Sequence, residues 1–172
     1  MNIFPDICEI LDKIAITAKN ERKSGIWTNT KWTTEITQKI AELGKSYGYE
    51  VAAPSIPNKD YDGWLFDLCW MKYLYTKAGR KVLIEVPLIL ESEWEKSDRH
   101  RPVVADFEKL LVGNSKYKVM IFQANNISDA KKVMDELKQA KKYYIIKQDD
   151  SLYLLSCFLQ DDSYREFYHI II

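Results

Sequence analysis

Hydrophobic residues along this chain recur at two spacings, and each spacing predicts a different kind of element. Apolar residues three and four positions apart predict helices at 5–21, 33–47, 102–112 and 128–141. Short alternating or continuous apolar runs predict strands at 49–53, 64–75, 81–92, 118–123, 143–147, 152–159 and 165–172. The stretch 54–63, with two prolines, reads as a loop. This order of elements indicates an α/β domain with a mixed sheet.

The composition supports one folded domain over residues 1–172. Hydrophobic residues make up 47% of the chain and aromatic residues 13%, which favours a packed core over disorder. The 25 basic and 25 acidic residues give a net charge of zero. A strong overall attraction to nucleic acid or to an anionic membrane is therefore not implied, although a local basic patch remains compatible with this balance.

The cysteines and the apolar runs bear on the compartment. Cys8, Cys69 and Cys157 are odd in number and lie far apart, with no zinc-type spacing. A reduced, cytoplasmic protein fits this usage best. The first residues lack a basic segment followed by a sustained apolar one, and no apolar run approaches the roughly 20 residues of a membrane span. We therefore expect neither a signal peptide nor a membrane partner.

The two long strands between Trp64 and Trp94 contain the most informative pattern. They form an apolar hairpin in which acids occur in two zones, at Asp67 and at Glu85, Glu91 and Glu93. Burying a carboxylate costs several kcal/mol unless something compensates its charge. A metal ion is one such compensation, so the register of the hairpin decides whether the acids meet.

The turn of this hairpin sets the register. A three-residue turn over 77–79, with Gly79 in the left-handed region, places Asp67 opposite Ile89 and diagonal to Glu91. A five-residue loop would place Asp67 directly opposite Glu91. Either odd loop puts Asp67, Glu91 and Glu93 on one face, whereas a two-residue loop or a single bulge would split them. The alternative is that these acids face solvent or pair with basic residues.

Three carboxylates on one face suit Mg²⁺ or Mn²⁺, which prefer hard oxygen ligands. Such ions position water and stabilise phosphate charge. With these residues in that order, the chain resembles the PD-(D/E)xK nuclease superfamily, which has the restriction-endonuclease-like fold. The resemblance covers residues 32–124 as an αβββαβ core, to which the helix 5–21 and the segment 128–172 are additions.

The resemblance assigns roles residue by residue. Asp67, in WLFDLCW, matches the first acid of the family, and Glu91 opens its (D/E)xK motif, so these two are the expected metal ligands. Glu93 stands at the lysine position, where the resemblance implies an acid that orients the attacking water, although an acid there also occurs in inactive relatives. Some members move the lysine to the following helix, where Lys109 is the candidate, and some carry a metal-associated Glu on the first core helix, where Glu35 is the candidate. A helical wheel places Lys109 almost opposite the core face, which favours a solvated lysine.

Two functions follow as hypotheses. The first is a metal-dependent nuclease-like protein that hydrolyses phosphodiesters of DNA or RNA. The second is a catalytically degenerate interaction module on the same fold, with a homodimer interface near 152–172. His100 reads as an exposed loop residue and His169 as structural. Two readings stay open for a set of basic residues near the acids: a rim that binds phosphate, or ordinary surface charge. The set is Lys96, Arg99, Arg101, Lys116 and Lys118.

Overall fold

The computed structural model describes residues 2–21, 25, 27–56, 64–95, 101–146, 150–161 and 165–172. Within these residues a six-stranded mixed sheet is flanked by four helices, which confirms the predicted α/β class. None of the described helices is both long and apolar enough to cross a membrane. The elements are α1 Phe4–Asn20, α2 Asn29–Ser46, β1 Glu50–Ala52, β2 Leu68–Tyr75, β3 Lys81–Glu93, α3 Arg101–Val112, β4 Tyr117–Ala124, α4 Ile127–Tyr143, β5 Leu152–Leu159 and β6 Phe167–Ile171.

The strands lie in the sheet in the order in which they occur along the chain. β1, β2 and β3 form an antiparallel meander, β4 and β5 continue it in parallel with β3, and β6 closes the far edge antiparallel to β5. Parallel neighbours require crossover connections, which α3 and α4 supply. Consequently the carboxyl ends of β3, β4 and β5 meet at one edge of the sheet.

The helices cover both faces of the sheet and enclose two cores. α1 and α2 pack on one face, against side chains such as Leu88 and Leu90 of β3. α3 and α4 pack on the other face, against side chains such as Ile89. Because successive side chains of a strand point to opposite faces, the position of a residue along β3 decides which core it enters.

Two helices begin at other residues than the sequence predicts. α2 begins four residues earlier than expected, because Thr28 accepts a hydrogen bond from the Lys31 backbone N–H at 3.2 Å and caps the helix. The earlier start lets Trp32 join the buried stripe of the helix. In α4 the cap is Asn126 rather than Ser128.

One predicted strand does not form within the described residues, and another begins later than predicted. The predicted strand 143–147 does not form over its described part, since α4 continues to Tyr143 and both Ile145 and Ile146 are exposed. Its apolar residues therefore mimic a strand without being buried. β2 begins at Leu68 rather than at 64, and Phe66 packs in the α3/α4 core, whereas Leu68 packs in the α1/α2 core.

Candidate functional site

The hairpin turn has the geometry that the sequence predicts. Gly79 has φ 74°, in the left-handed region that favours glycine. The Thr76 N–H donates to the Arg80 carbonyl at 2.9 Å, so a three-residue turn connects β2 to β3. Near the turn, Leu74 pairs with Val82. Continuing this register unchanged would place Asp67 opposite Ile89.

The register then shifts twice within β2. Irregularities on either side of Lys72 move the pairing by two residues in total, so that Cys69 faces Ile89 and Leu68 faces Leu90. A shift by one residue would have turned every later side chain to the opposite face, whereas a shift by two restores the face. Asp67, one residue before β2, thus comes level with Glu91.

The Asp67 carboxylate is fixed by Ser92. Its Oδ2 accepts hydrogen bonds from the Ser92 backbone N–H at 2.8 Å and from the Ser92 Oγ at 3.0 Å. The backbone ladder between β2 and β3 has just ended at the Leu68–Leu90 pair, so the carboxylate takes the place of the next backbone partner. Burial raises the pKa of Asp67, and the two hydrogen bonds from Ser92 oppose this rise.

Glu91 is the most deeply buried acid among the described residues, with 1% of its surface exposed. The pKa of Glu91 is raised to about 8, mainly by burial and next by the nearby charge of Asp67, whereas Lys109 opposes the rise. Its Oε1 is buried and has no hydrogen-bond partner among the described residues. A buried carboxylate oxygen without a partner is costly, and a cation would compensate it.

Lys109 lies at this site although its helical position suggested a solvated side chain. Its Nζ lies 3.4 Å from Glu91 Oε2 and 2.7 Å from Asp106 Oδ1, while half of the side chain remains exposed. A long lysine side chain can lie along the surface of its helix and bring its ammonium to a neighbouring strand. Both carboxylates raise the pKa of Lys109, Asp106 most strongly, so the lysine is positively charged here.

Sequence reasoning missed Asp106 and the role of Ser92. Asp106 precedes Lys109 by three residues on α3, and this spacing on a helix could have indicated that the two side chains meet. Ser92 stands between the two acids of the Glu-Ser-Glu motif, where the strand pattern alone assigns it no function.

The structure does not bring Glu93 or Glu35 into this cluster. The Oε1 of Glu93 accepts a hydrogen bond from the Glu95 backbone N–H at 2.6 Å, and the side chain lines a small groove beside Ser92. Glu35 is a half-buried residue of α2, and its charge acts on Lys39. The charged groups that act on Asp67 and Glu91 are instead those of α3.

The expected basic rim is not formed as a set. Lys118 is fully buried and donates a hydrogen bond to the Tyr153 hydroxyl at 3.0 Å, because its position on β4 points it into the α3/α4 core. Residues 96–100, which include Lys96, Arg99 and His100, lie outside the described residues. The Nδ1 of His169 lies 2.9 Å from the Ser156 hydroxyl, in a contact that joins β5 and β6.

The described residues contain no group of three His, Cys, Asp or Glu side chains arranged to hold a metal ion. The donors that do meet are the carboxylates of Asp67 and Glu91, and the unpartnered Glu91 Oε1 fits a cation. Mg²⁺ commonly uses one or two carboxylates and completes its coordination with water and substrate phosphate. Comparisons of the chain with protein-family models, curated proteins and solved structures gave no match.

Proposed function

We propose that this protein is a metal-dependent phosphodiesterase of the PD-(D/E)xK type that acts on DNA or RNA with Mg²⁺ or Mn²⁺. The order of elements supports this proposal. The helix α2, the antiparallel meander β1 to β3, the helix α3 and the parallel strand β4 occur in the sequence that the restriction-endonuclease-like fold requires. Because α3 packs against β3, Lys109 reaches Glu91.

The observation that carries the proposal is the set of contacts around Glu91. A buried carboxylate with an unpartnered oxygen lies beside the carboxylate of Asp67, and a lysine ammonium lies 3.4 Å away. Structural ion pairs are normally satisfied on both sides, whereas perturbed acids next to one another are typical of functional sites. Two acids and one lysine are also the set that the resemblance to the PD-(D/E)xK superfamily implies for metal-assisted cleavage of a phosphodiester.

Each residue has a distinct role in the proposed reaction. Asp67 and Glu91 would hold the cation, and Ser92 would keep Asp67 in position. A bound Mg²⁺ or Mn²⁺ supplies positive charge that stabilises the phosphate and lowers the pKa of water. Lys109, held by Asp106 within reach of Glu91, would place its ammonium against the phosphate or the attacking water.

Glu93 and Glu35 keep the roles that the resemblance implies, as proposals. Glu93 would orient water from the groove beside Ser92, and Glu35 would support the site from α2. Neither contacts Asp67 or Glu91 within the described residues, so we expect their substitution to reduce the rate less than substitution of Asp67.

The test is cleavage of labelled single- and double-stranded DNA and RNA in the presence of Mn²⁺. We expect cleavage by the wild type and none by Asp67→Ala or Glu91→Gln. Glu108→Gln is the matched control, since Glu108 is an exposed acid on α3 and should retain activity. Titration calorimetry with Mn²⁺ gives a second measurement. An inert wild type that also binds neither Mn²⁺ nor Mg²⁺ would refute the proposal.

A second candidate function, a non-catalytic interaction module, is favoured by a different observation. Residues 72–85 form the β2–β3 arm, which extends beyond the rest of the sheet. β1 pairs only with residues 69–71 of β2, and β4 pairs only with residues 88–93 of β3. The arm exposes large apolar side chains, with Leu74 56%, Tyr75 65% and Ile84 52% exposed. A two-stranded ribbon is marginally stable alone, so a partner that covers it would stabilise it.

Homodimerisation through the β2–β3 arm is the form of this function that we test. Light scattering after size-exclusion chromatography should show a dimer that Leu74→Glu converts to a monomer. Tyr143→Glu is the matched control, because Tyr143 is 72% exposed on α4, outside the arm. A wild type that is monomeric at all concentrations would argue against this candidate.

A further inference from the structure

A cavity of about 570 Å³ lies at the edge of the sheet where β3, β4 and β5 end. α1 and α2 close it on one side, and residues at the carboxyl ends of the three strands line the rest, among them Trp94, Gln123 and Gln160. In open α/β sheets, ligands bind in the crevice outside the carboxyl ends of parallel strands. The volume is also in the range of small-molecule sites.

One wall of the cavity is aromatic. The Trp32 ring stacks on Trp94 with centroids 5.2 Å apart and an interplanar angle of 17°, and it meets Trp27 at 4.9 Å and Phe158 at 4.5 Å. Trp27 is half-buried, so its ring extends the wall towards solvent. Trp94 lines the cavity, and its indole N–H is buried without a hydrogen-bond partner among the described residues. An occupant with an acceptor group could satisfy this donor after a small adjustment of the ring.

The floor of the cavity is made of ordered amides. Gln160 Nε2 donates to Gln123 Oε1, and Gln123 Nε2 donates to the Trp94 carbonyl. Each of these amide groups has a second N–H, and Gln160 also has its carbonyl oxygen, which together offer donors and an acceptor to an occupant. A planar heterocycle with donors and acceptors along one edge matches this pattern.

The charges at the cavity favour an anionic occupant. Lys19 and Arg165 line it, and the acid among the lining residues is Glu95. An aromatic wall, an amide floor and two cations correspond to the base and phosphate of a nucleotide. A purely apolar aromatic ligand would make no use of the amides of Gln123 and Gln160.

A groove extends from this cavity as far as Ser92. The groove, about 370 Å³ in volume, shares Asn29, Trp94 and Glu95 with the cavity and is lined by hydroxyl groups such as that of Thr33. It also reaches Ser92, the residue that holds the Asp67 carboxylate. A chain whose base occupied the cavity could therefore continue along the groove as far as Ser92, which donates two hydrogen bonds to Asp67.

We propose that the cavity binds an unpaired nucleobase together with its phosphate, so that the substrate of the proposed site is single-stranded nucleic acid. An aromatic wall recognises the face of a base and the amides recognise its hydrogen-bonding edge, and a duplex hides both. Lys19 and Arg165 bind the phosphate of the same nucleotide. The statement about substrate rests on the proposed function, whereas binding in the cavity stands without it.

Binding is measured in the full-length Asp67→Ala variant in the presence of EDTA, so that neither metal nor cleavage contributes. Tryptophan fluorescence is titrated with AMP, adenosine, ribose 5-phosphate and indole. Fluorescence anisotropy compares a labelled eight-nucleotide single strand with the same sequence as a duplex. We expect AMP to bind more tightly than adenosine, ribose 5-phosphate or indole, and the single strand to bind more tightly than the duplex.

Two substitutions test the assignment of the wall and the floor. Trp27→Leu is expected to weaken binding of AMP and of the single strand about tenfold, which is the usual effect of losing one stacking ring. Gln160→Ala should weaken binding of AMP more than binding of indole, because the amide recognises the polar edge. The matched controls are Tyr143→Ala and Gln38→Ala, both at exposed helical positions, and both should bind as the parent does. Circular dichroism checks that each variant is folded.

Several results would overturn this proposal. They are equal binding of duplex and single strand, tighter binding of indole than of AMP, no saturable binding of AMP, or unchanged affinity in both cavity variants. These results differ from a failure of the proposed function. If AMP binds in EDTA but the wild type cleaves nothing, the nuclease function is wrong and the cavity assignment stands. Cleavage without any effect of Trp27→Leu or Gln160→Ala would reject the cavity and retain the nuclease.

Discussion

Replacement of Lys118 by methionine is expected to stabilise the fold at neutral pH and to remove a characteristic pH dependence. Lys118 is fully buried on β4, where its ammonium donates to the Tyr153 hydroxyl. Burial lowers the pKa of Lys118 from its ordinary value of 10.5 to about 8, with a further contribution from the charge of Lys141. Methionine keeps the length and the apolar stem of the side chain without the charge.

The pKa shift gives the magnitude of the effect. A lowering from 10.5 to about 8 corresponds to a cost of roughly 3 kcal/mol for the charged form in the folded state. This cost is present in full below pH 8 and disappears as the pH rises to 10.5, because between these values the unfolded chain binds the proton and the folded chain does not. Loss of the hydrogen bond to the Tyr153 hydroxyl costs the variant about 1 to 2 kcal/mol.

The cost of the charged lysine and the loss of its hydrogen bond act in opposite directions. They predict that the unfolding free energies of the wild type and the variant, plotted against pH, cross. At pH 7, Lys118→Met should be more stable than the wild type by about 1 to 2 kcal/mol, and at pH 10.5 it should be less stable by a similar amount. Urea unfolding followed by circular dichroism at a series of pH values measures both curves. Lys131→Met, at an exposed position on α4, is the control and should run parallel to the wild type. Parallel curves for Lys118→Met would refute the reasoning.

Three further substitutions test the local contacts. Ser92→Ala removes the hydroxyl hydrogen bond to Asp67 and should lower Mn²⁺ affinity by about tenfold, as measured by calorimetry, because the carboxylate is less well positioned. Gly44→Ala should destabilise the fold by about 2 kcal/mol in urea unfolding, since its Cβ would lie 2.7 Å from Cδ1 of the buried Trp70. Thr28→Ala should cost about 1 kcal/mol through loss of the α2 cap.

Each of these substitutions has a control, which is the same kind of substitution at a position that lacks the tested contact. Ser46→Ala, which also removes a hydroxyl, should leave Mn²⁺ affinity unchanged. Gly113→Ala should cost less than Gly44→Ala, because the atom nearest its Cβ would be the flexible end of Ile89, with the Phe66 ring 3.0 Å and the Lys109 carbonyl 3.4 Å away. Thr30→Ala, at an exposed position on the same helix, should change stability little. Equal effects in a substitution and its control would contradict the proposed contact.

Much of the fold could be predicted because it depends on local signals. Helical spacing located α1 and α3 within one residue at either end, and the continuous apolar run located β5 at residues 152–159. The turn at Gly79 was predictable because a left-handed residue in a three-residue hairpin loop favours glycine. The prediction of a strand at 143–147 is wrong because Ile145 and Ile146 give the apolar pattern of a buried strand although both are exposed.

The candidate site was predictable only in part. Asp67 and Glu91 stood out because carboxylates interrupt an apolar hairpin, and the structure brings them together. Lys109 was named as a candidate but placed on the solvent side, since a helical wheel records the direction of Cβ and not the reach of four methylene groups. Asp106 was predictable only as a helical neighbour of Lys109, and nothing in the strand pattern indicates that Ser92 holds Asp67.

By itself the sequence determined the alternation of faces along the hairpin, the turn at Gly79 and the presence of acids among apolar residues. The tertiary structure alone decided that the acids meet side by side, because two irregularities near Lys72 shift the pairing by an even number of residues. Such a shift depends on how β2 packs between β1 and β3, and no local pattern records it. The cavity at Trp94 arose in the same way, from three strand ends that are distant in sequence and adjacent in the sheet.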